Sequence, residues 1–264
     1  TYSYTVAAYD AAGNISIQSS VINVTTPSSS TSTPTPTPTP ASAPAGGLIS
    51  HWKFDETSGT TVIDSAGTNT GTTINGPVWT TGRIGGALQF DGVNDYVSLG
   101  AAAVGPELNG FSAVTISAWV YIKSYPIGGL RERFISIANN GGTAASLNLL
   151  DSAGSKLEVG GKSVAADGFR STTATAPSLN SWHHVVGILN YAGDTLYLYI
   201  DGVLKTTTTV NFANTSYTQG TPTNADFFGT SDGTQAFIDG TIDDIRIYNR
   251  ALSADEIYRL YKIG

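Results

Sequence analysis

Carboxylates and amides gather in one stretch of this chain: Asp55-Glu56-Thr57-Ser58-Gly59, then Ile63-Asp64-Ser65-Ala66-Gly67-Thr68-Asn69. Hard cations take oxygen ligands from carboxylates, Asn side chains and carbonyls of bent, Gly-rich loops. Asp64, Asn69 and the carbonyls around them have that chemistry, although Asp64 reads equally as the anchor of an Asx turn. A second acidic run, Asp91-Gly92-Val93-Asn94-Asp95, joins Phe90 to Tyr96. It reads as turn chemistry between two strands, with a binding role for Asn94 or Asp95 as the alternative.

Histidine offers less. His183 and His184 follow Trp182, and neighbours on a strand point to opposite faces, so the two imidazoles cannot converge on one ion. His51 has no spacing relation to them. Glycoside hydrolysis needs two carboxylates facing one cleft, and none of Glu56, Glu107, Glu132, Glu158 and Glu256 has an acid two residues away on a strand. Glu132, between two arginines in LRERF, reads as an ion-pair partner. The sequence shows no Gly-x-Ser-x-Gly elbow and no Ser/His/Asp grouping. No catalytic residue is assigned.

Recognition through aromatic rings remains. Flat rings stack on sugar C–H faces while Asn, Asp and Gln orient the ligand. In TLYLYID, Leu196, Leu198 and Ile200 share one face, which puts Tyr197 and Tyr199 on the other as an expected outer platform. Trp79, Tyr125, Phe169, Tyr191 and Tyr217 are further candidates in loops at the rims. The alternative for each ring is a structural role, Tyr being a good strand former.

These residues need a β scaffold, and the chain supplies one. With 264 residues, 40% hydrophobic, it can bury a sizeable core. A net charge of −7, without any run of Lys or Arg, argues against nucleic acid or an anionic membrane surface as partner. There is no cysteine, so disulfides and thiolate metal sites are excluded. No apolar run approaches the roughly 20 residues that span a bilayer. Residues 1–26 read as two strands around an AAGN turn, too little to bury a core alone. Residues 27–47, rich in Thr-Pro, read either as an extended polyproline rod or as a plain spacer. Residues 48–264 carry at least nine strand patterns between Gly, Asn and Asp turns. At the end of the chain Ile242 stands off the alternation of Ile245 and Ile247, which predicts a bulge near Asp243–Asp244. Ser253 and Glu256 then have capping-box spacing before a short helix with Ile257, Leu260 and Tyr261 on one face.

WKFDETSGTTVIDSAG, FDGVNDYV, ISAWVY, WHHVVG, LYLYIDG and IDDIRIYNRALS occur in the order found in laminin-G-like domains, which the chain resembles over nearly all of 48–262. Those domains belong to the concanavalin A-like lectin and glucanase superfamily. The resemblance implies an all-β fold, a two-sheet antiparallel jelly-roll sandwich with a short C-terminal helix. YSYTVAAYDAAGN resembles the last strands of a fibronectin type III domain, so the sandwich is expected to follow a β-hairpin and a Thr/Pro linker in a longer polypeptide. The resemblance also implies a structural calcium site, carried over to Asp64 and Asp244 with Asp243 and Asp55 in reserve. DSAGTNTG lacks the family's second Asp, however, and Asp244 reads equally as a partner of Arg246 or Arg250. The expected function is a non-catalytic, monomeric carbohydrate-binding module of an exported or cell-surface protein, with polysaccharide as partner. The alternative is an adhesion or spacer module that binds no sugar.

Overall fold

The computed structural model describes residues 2–7, 16–17, 19–24, 42–101, 103–126, 131–139, 143–150, 155–219 and 225–264. The chain divides into two compact units, Thr1–Pro40 and Ala41–Gly264. In the first, β1 (Tyr2–Tyr4) pairs antiparallel with β2 (Ile22–Val24), Tyr2 opposite Val24. The expected AAGN turn and most of the Thr-Pro stretch lie outside the described residues.

The second unit begins before the expected boundary at 48. Asn249 N–H donates to Gly47 O at 2.9 Å, and Arg250 Nε to Gly46 O at 2.7 Å. Gly47 is at φ +77°, and a Cβ there would lie 2.9 Å from Asn249 Oδ1, so the approach needs glycine. The end of the linker is therefore part of the fold.

In chain order the elements are β3 (Leu48–Trp52), β4 (Thr61–Val62), β5 (Gly71–Ile74), β6 (Val78–Thr81), β7 (Gly86–Asp91), β8 (Tyr96–Ala101), α1 (Gly105–Leu108) and β9 (Ala113–Ile122). After these come β10 (Arg131–Asn139), β11 (Thr143–Leu150), β12 (Lys156–Gly161), β13 (Arg170–Thr175), β14 (Trp182–Asn190) and β15 (Thr195–Ile200). The chain ends with β16 (Val203–Thr209), β17 (Ala225–Phe228), β18 (Asp239–Tyr248) and α2 (Ala254–Ile263). One antiparallel sheet runs β13-β12-β11-β10-β17-β8-β5-β4, the other β16-β15-β14-β9-β18-β7-β6, with β3 also on β18. This is the expected all-β, two-sheet sandwich with a short C-terminal helix.

Alternation makes the core. Val114, Ile116, Ala118, Val120 and Ile122 of β9 point between the sheets with Val185 and Leu189 of β14 and Leu196, Leu198 and Ile200 of β15. Trp52, Phe54 and Phe228 meet edge to face there, with centroids 4.9 and 6.1 Å apart. Ile242 and Ile245 both reach this core because Asp244, at φ +50°, inserts the predicted bulge between them. The bulge has a topological use: before it β18 pairs with β7, after it with β3.

The predicted capping box closes α2: Glu256 N–H donates to Ser253 Oγ, and Ser253 N–H to Glu256 Oε2. Arg250 grips the same carboxylate at 2.6 and 2.8 Å, which, with burial opposing, holds Glu256 down at about 2. Ile257 and Leu260 then pack on the outer face of the second sheet with Val186, Ile188, Tyr199 and Tyr248.

Candidate functional site

The acids proposed as metal ligands have other partners. Asp64 Oδ1 accepts from the N–H groups of His51, Ala66 and Gly67 at 2.8, 3.1 and 2.9 Å, and its Oδ2 from Asn69 N–H at 3.1 Å. The Asx-turn alternative therefore describes Asp64. Asn69 donates its amide to Ser50 and Glu107, and its carbonyl accepts from Trp52 Nε1. Asp244 Oδ1 lies 2.6 Å from His51 Nε2 and accepts from Arg246 at 2.9 Å. Asp55 Oδ1 accepts from Gly86 N–H. Among the described residues no group of three or more His, Asp and Glu side chains converges on a metal position. In this arrangement both oxygens of Asp64 serve N–H donors and Asp244 Oδ1 serves a guanidinium, so the two acids carried over for calcium act as structural acceptors.

Asp64→Asn turns an NH₂ toward N–H groups, leaving at least one buried donor unmet, and is expected to cost about 1–3 kcal/mol. Thermal melts should show the same loss in EDTA and in calcium. A wild-type melting temperature that drops with EDTA would restore the cation, since an ion held only by the folded state stabilises it.

The aromatic candidates separate by burial. Tyr191 and Tyr217 are core residues; Tyr191 meets Phe212 edge to face at 4.9 Å, and burial pushes its phenol far up. Phe169 lies over Gly160, where a Cβ would meet its ring at 2.8 Å. Tyr197 and Tyr199 do face away from the leucines, as the alternation predicts, but α2 covers them: Tyr199 is 9% exposed and Tyr197 packs beside it. They form no open platform. Trp79 lines a shallow cleft with Asp55, its Nε1 donating to Gly59 O at 2.9 Å.

Tyr125 lines the cleft that best combines rings with polar groups, of about 630 Å³. Four segments build it: the end of β7 and its turn (Asp91, Gly92), the stretch after β9 (Ser124, Tyr125), the start of β10 (Arg131, Glu132) and the approach to and start of β18 (Gln235, Phe237, Asp239). Tyr125 Oη donates to Pro177 O at 2.6 Å, which fixes the ring. Phe237 sits 6.3 Å from Tyr96. Asp239 accepts from Ser124 Oγ at 3.1 Å and faces Lys123 at 3.8 Å. Asp91 is the turn residue expected, accepting from Val93 and Asn94 N–H groups at 2.9 and 3.3 Å; these bonds outweigh its desolvation and lower its pKa.

Glu132 is the residue the sequence reading missed. It was expected to pair with its neighbouring arginines, but strand neighbours face opposite ways. Arg131 turns to Glu158, 3.3 Å away. Glu132 Oε2 is buried without a partner. Desolvation, reinforced by the charge of Asp239 and only partly offset by a bond from Asp239 N–H, pushes the carboxyl up to about 7. The cleft thus brings three carboxyl groups, an amide, a guanidinium and two rings into one volume suited to a small ligand.

A Ser/His/Asp grouping invisible in the linear sequence also forms. His183 Nδ1 donates to Asp201 Oδ2 at 2.8 Å, and the Ser181 and Ser178 hydroxyls lie 2.9 and 3.1 Å from its Nε2. Asp201 Oδ1 meanwhile accepts from His184 N–H at 3.0 Å. The same carboxylate thus clamps the β15–β16 turn to the start of β14, a structural task. His183 and His184 point apart as expected; His184 is buried against Trp119, with desolvation lowering it to about 4.

No curated protein matches the chain by sequence. Among solved structures it is similar to domain 4 of AbnA, a GH43 extracellular arabinanase from Geobacillus stearothermophilus, in complex with arabinotriose. That match has a TM-score of 0.59 and 20% identity, and it covers 81% of this chain and 98% of that one. Trypanosoma rangeli sialidase, in complex with the inhibitor DANA, aligns with a TM-score of 0.58 and 17% identity over 83% of this chain and 33% of the sialidase. A botulinum neurotoxin type C structure, concerned with cell entry through two ganglioside molecules, aligns with a TM-score of 0.57 and 19% identity over 81% and 50%. At these identities the likeness is one of fold. The family model described as concanavalin A-like lectin/glucanases superfamily matches residues 91–258, which span the cleft, the bulged β18 and the start of α2. On that match, the chain belongs to the laminin-G-like branch of the concanavalin A-like lectin/glucanases superfamily.

Proposed function

We propose that the Ala41–Gly264 unit is a non-catalytic glycan-binding module and that the cleft between Tyr125 and Phe237 holds the sugar. The observation that carries this reading is the pairing of those rings with Glu132, Asp239 and Gln235 in one cleft. Rings bury the C–H face of a pyranose or furanose, and the polar groups exchange hydrogen bonds with its hydroxyls. Two structural neighbours, one in complex with arabinotriose and one whose cell entry depends on two ganglioside molecules, support a glycan as partner. In a longer exported protein, with the first unit as the end of a fibronectin type III domain, such a module raises the effective concentration of a linked domain on polysaccharide. Among the described residues no helix is long and apolar enough to cross a membrane.

The test is retardation of the full chain in gels containing arabinan or other neutral polysaccharides, with a glycan array for sialylated and ganglioside-type sugars. Phe237→Ala removes about 60 Å² of stacked ring, worth about 1.5 kcal/mol or about tenfold in Kd. Retention should fall accordingly while the melt is unchanged. No retention on any glycan would favour the adhesion reading. Release of reducing ends by the wild type, lost in Glu132→Gln, would overturn the non-catalytic assignment.

A further inference from the structure

Two residues of the cleft stand on the outer face of the second sheet. Asp91 and Asp239, which line the cleft, are paired across β7 and β18. Two residues along each strand, on the same outer face, stand Gln89 and Thr241, also directly paired. Thr241 is opposite Tyr121 of β9, Tyr121 is opposite Trp182 of β14, and Gln89 is opposite Val78 of β6. Trp182, Tyr121, Thr241, Gln89 and Val78 therefore form one straight row across five adjacent strands. Their inward-facing neighbours Val120, Ile242 and Leu88 are core residues, which fixes the row on the outside.

Several features of this row suit a ligand. At about 4.8 Å between strands it spans about 19 Å, longer than one sugar ring. It carries no carboxylate, ammonium or guanidinium, which suits an uncharged chain. Trp182 and Tyr121 meet edge to face at 5.7 Å and are both part-exposed, Gln89 is part-exposed, and Val78 is 57% exposed. The next row along, His184, Trp119 and Asp243, is roofed: Tyr261 stacks on Trp119 at 5.9 Å, and the Arg83 guanidinium lies 5.1 Å from the Trp119 ring. This roof is a wall along one side of the row, and Asp91 and Asp239 of the cleft flank it on the other.

We infer that the row Trp182–Tyr121–Thr241–Gln89–Val78 extends the cleft into a track for an unbranched neutral glycan chain, so that the module binds several consecutive sugar residues and not a single terminal one. This rests on the cleft as the primary site. The occupant is a polysaccharide segment because the row is uncharged, aromatic at one end and adjacent to that site. Thr241, 5% exposed, forms its floor.

The test uses the full chain with arabino-, xylo- and cello-oligosaccharides of two and of six residues, in calorimetry. In the series that binds, the six-residue ligand should bind about tenfold more tightly than the two-residue one. Trp182→Ala, with Gln89→Ala as a second variant that leaves the core untouched, should erase most of that gain and leave the two-residue affinity as it was. Phe237→Ala should weaken both lengths equally. Melting curves establish that each variant is folded. If Trp182→Ala and Gln89→Ala leave the six-residue affinity unchanged while Phe237→Ala lowers it, the track is wrong and the cleft stands. If no oligosaccharide of either length binds the wild type, the track and the cleft reading fall together.

Discussion

Tyr199→Ala should cost about 3–5 kcal/mol of stability, the range for deleting a buried aromatic ring. For a unit of this size that is a fall in Tm on the order of 6–20 °C. The ring is 9% exposed and packs among Val186, Ile188, Leu252, Ile257 and Leu260, so its removal opens a cavity under α2. Burial, with Tyr197 adjacent, also raises its phenol pKa. Tyr199→Phe keeps the packing and should melt close to wild type. Glycan affinity of the folded Ala variant should be unchanged, because Tyr199 lines neither the cleft nor the track. A variant that melts like wild type but no longer binds polysaccharide would reinstate Tyr199 as a platform residue.

The case of Tyr199 shows where the sequence stopped being legible. Its direction was readable, since Leu196 and Leu198 face the core and period-2 alternation sends Tyr197 and Tyr199 outward. Its environment was not, because what covers an outer face is decided by a helix contributed from the far end of the chain. Local features fared best. The Ile242–Ile245 spacing announced the bulge at Asp244, and Ser253 with Glu256 announced the cap, because each is set within a few residues. Glu132 was half legible: the alternation that separates His183 from His184 also turns Arg131 and Arg133 away from it. Its shifted proton affinity depends on Asp239, which only the tertiary fold brings near. The cleft itself comes from four separated segments, of which Tyr125 alone had been singled out for binding.

Asp243 should make stability depend on pH in a way one substitution removes. Its side chain is fully buried; Oδ2 accepts from Ile84 N–H at 2.8 Å, and Oδ1 has no partner. Desolvation raises its pKa, with the charge of Asp244 adding to it and N–H groups of Ile84, Arg83 and Asp244 opposing, so it stands at about 7 against an ordinary 3.8. Arg246 and His51 are occupied with Asp244 and do not relieve it. Because the folded pKa lies above the unfolded one, this contribution is fully present below about pH 4 and lost as pH rises through about 7. At about 1.4 kcal/mol per pH unit the loss is on the order of 2–4 kcal/mol. Glu132, raised from 4.5 to about 7, acts with the same sign. His184, lowered from 6.5 to about 4, acts against both, stabilising above about pH 6.5 and giving that up as pH falls. The wild-type profile mixes these, so the informative quantity is the difference between Asp243→Asn and wild type in urea titrations from pH 4 to 8. The amide keeps the acceptor for Ile84 and cannot ionise. The variant should be no more stable than wild type near pH 4 and more stable by a few kcal/mol at pH 8. A difference that stays constant across that range would mean the Asp243 carboxyl ionises without penalty, and that the pocket beneath Ile84 and Gly82 is wetter than its burial implies.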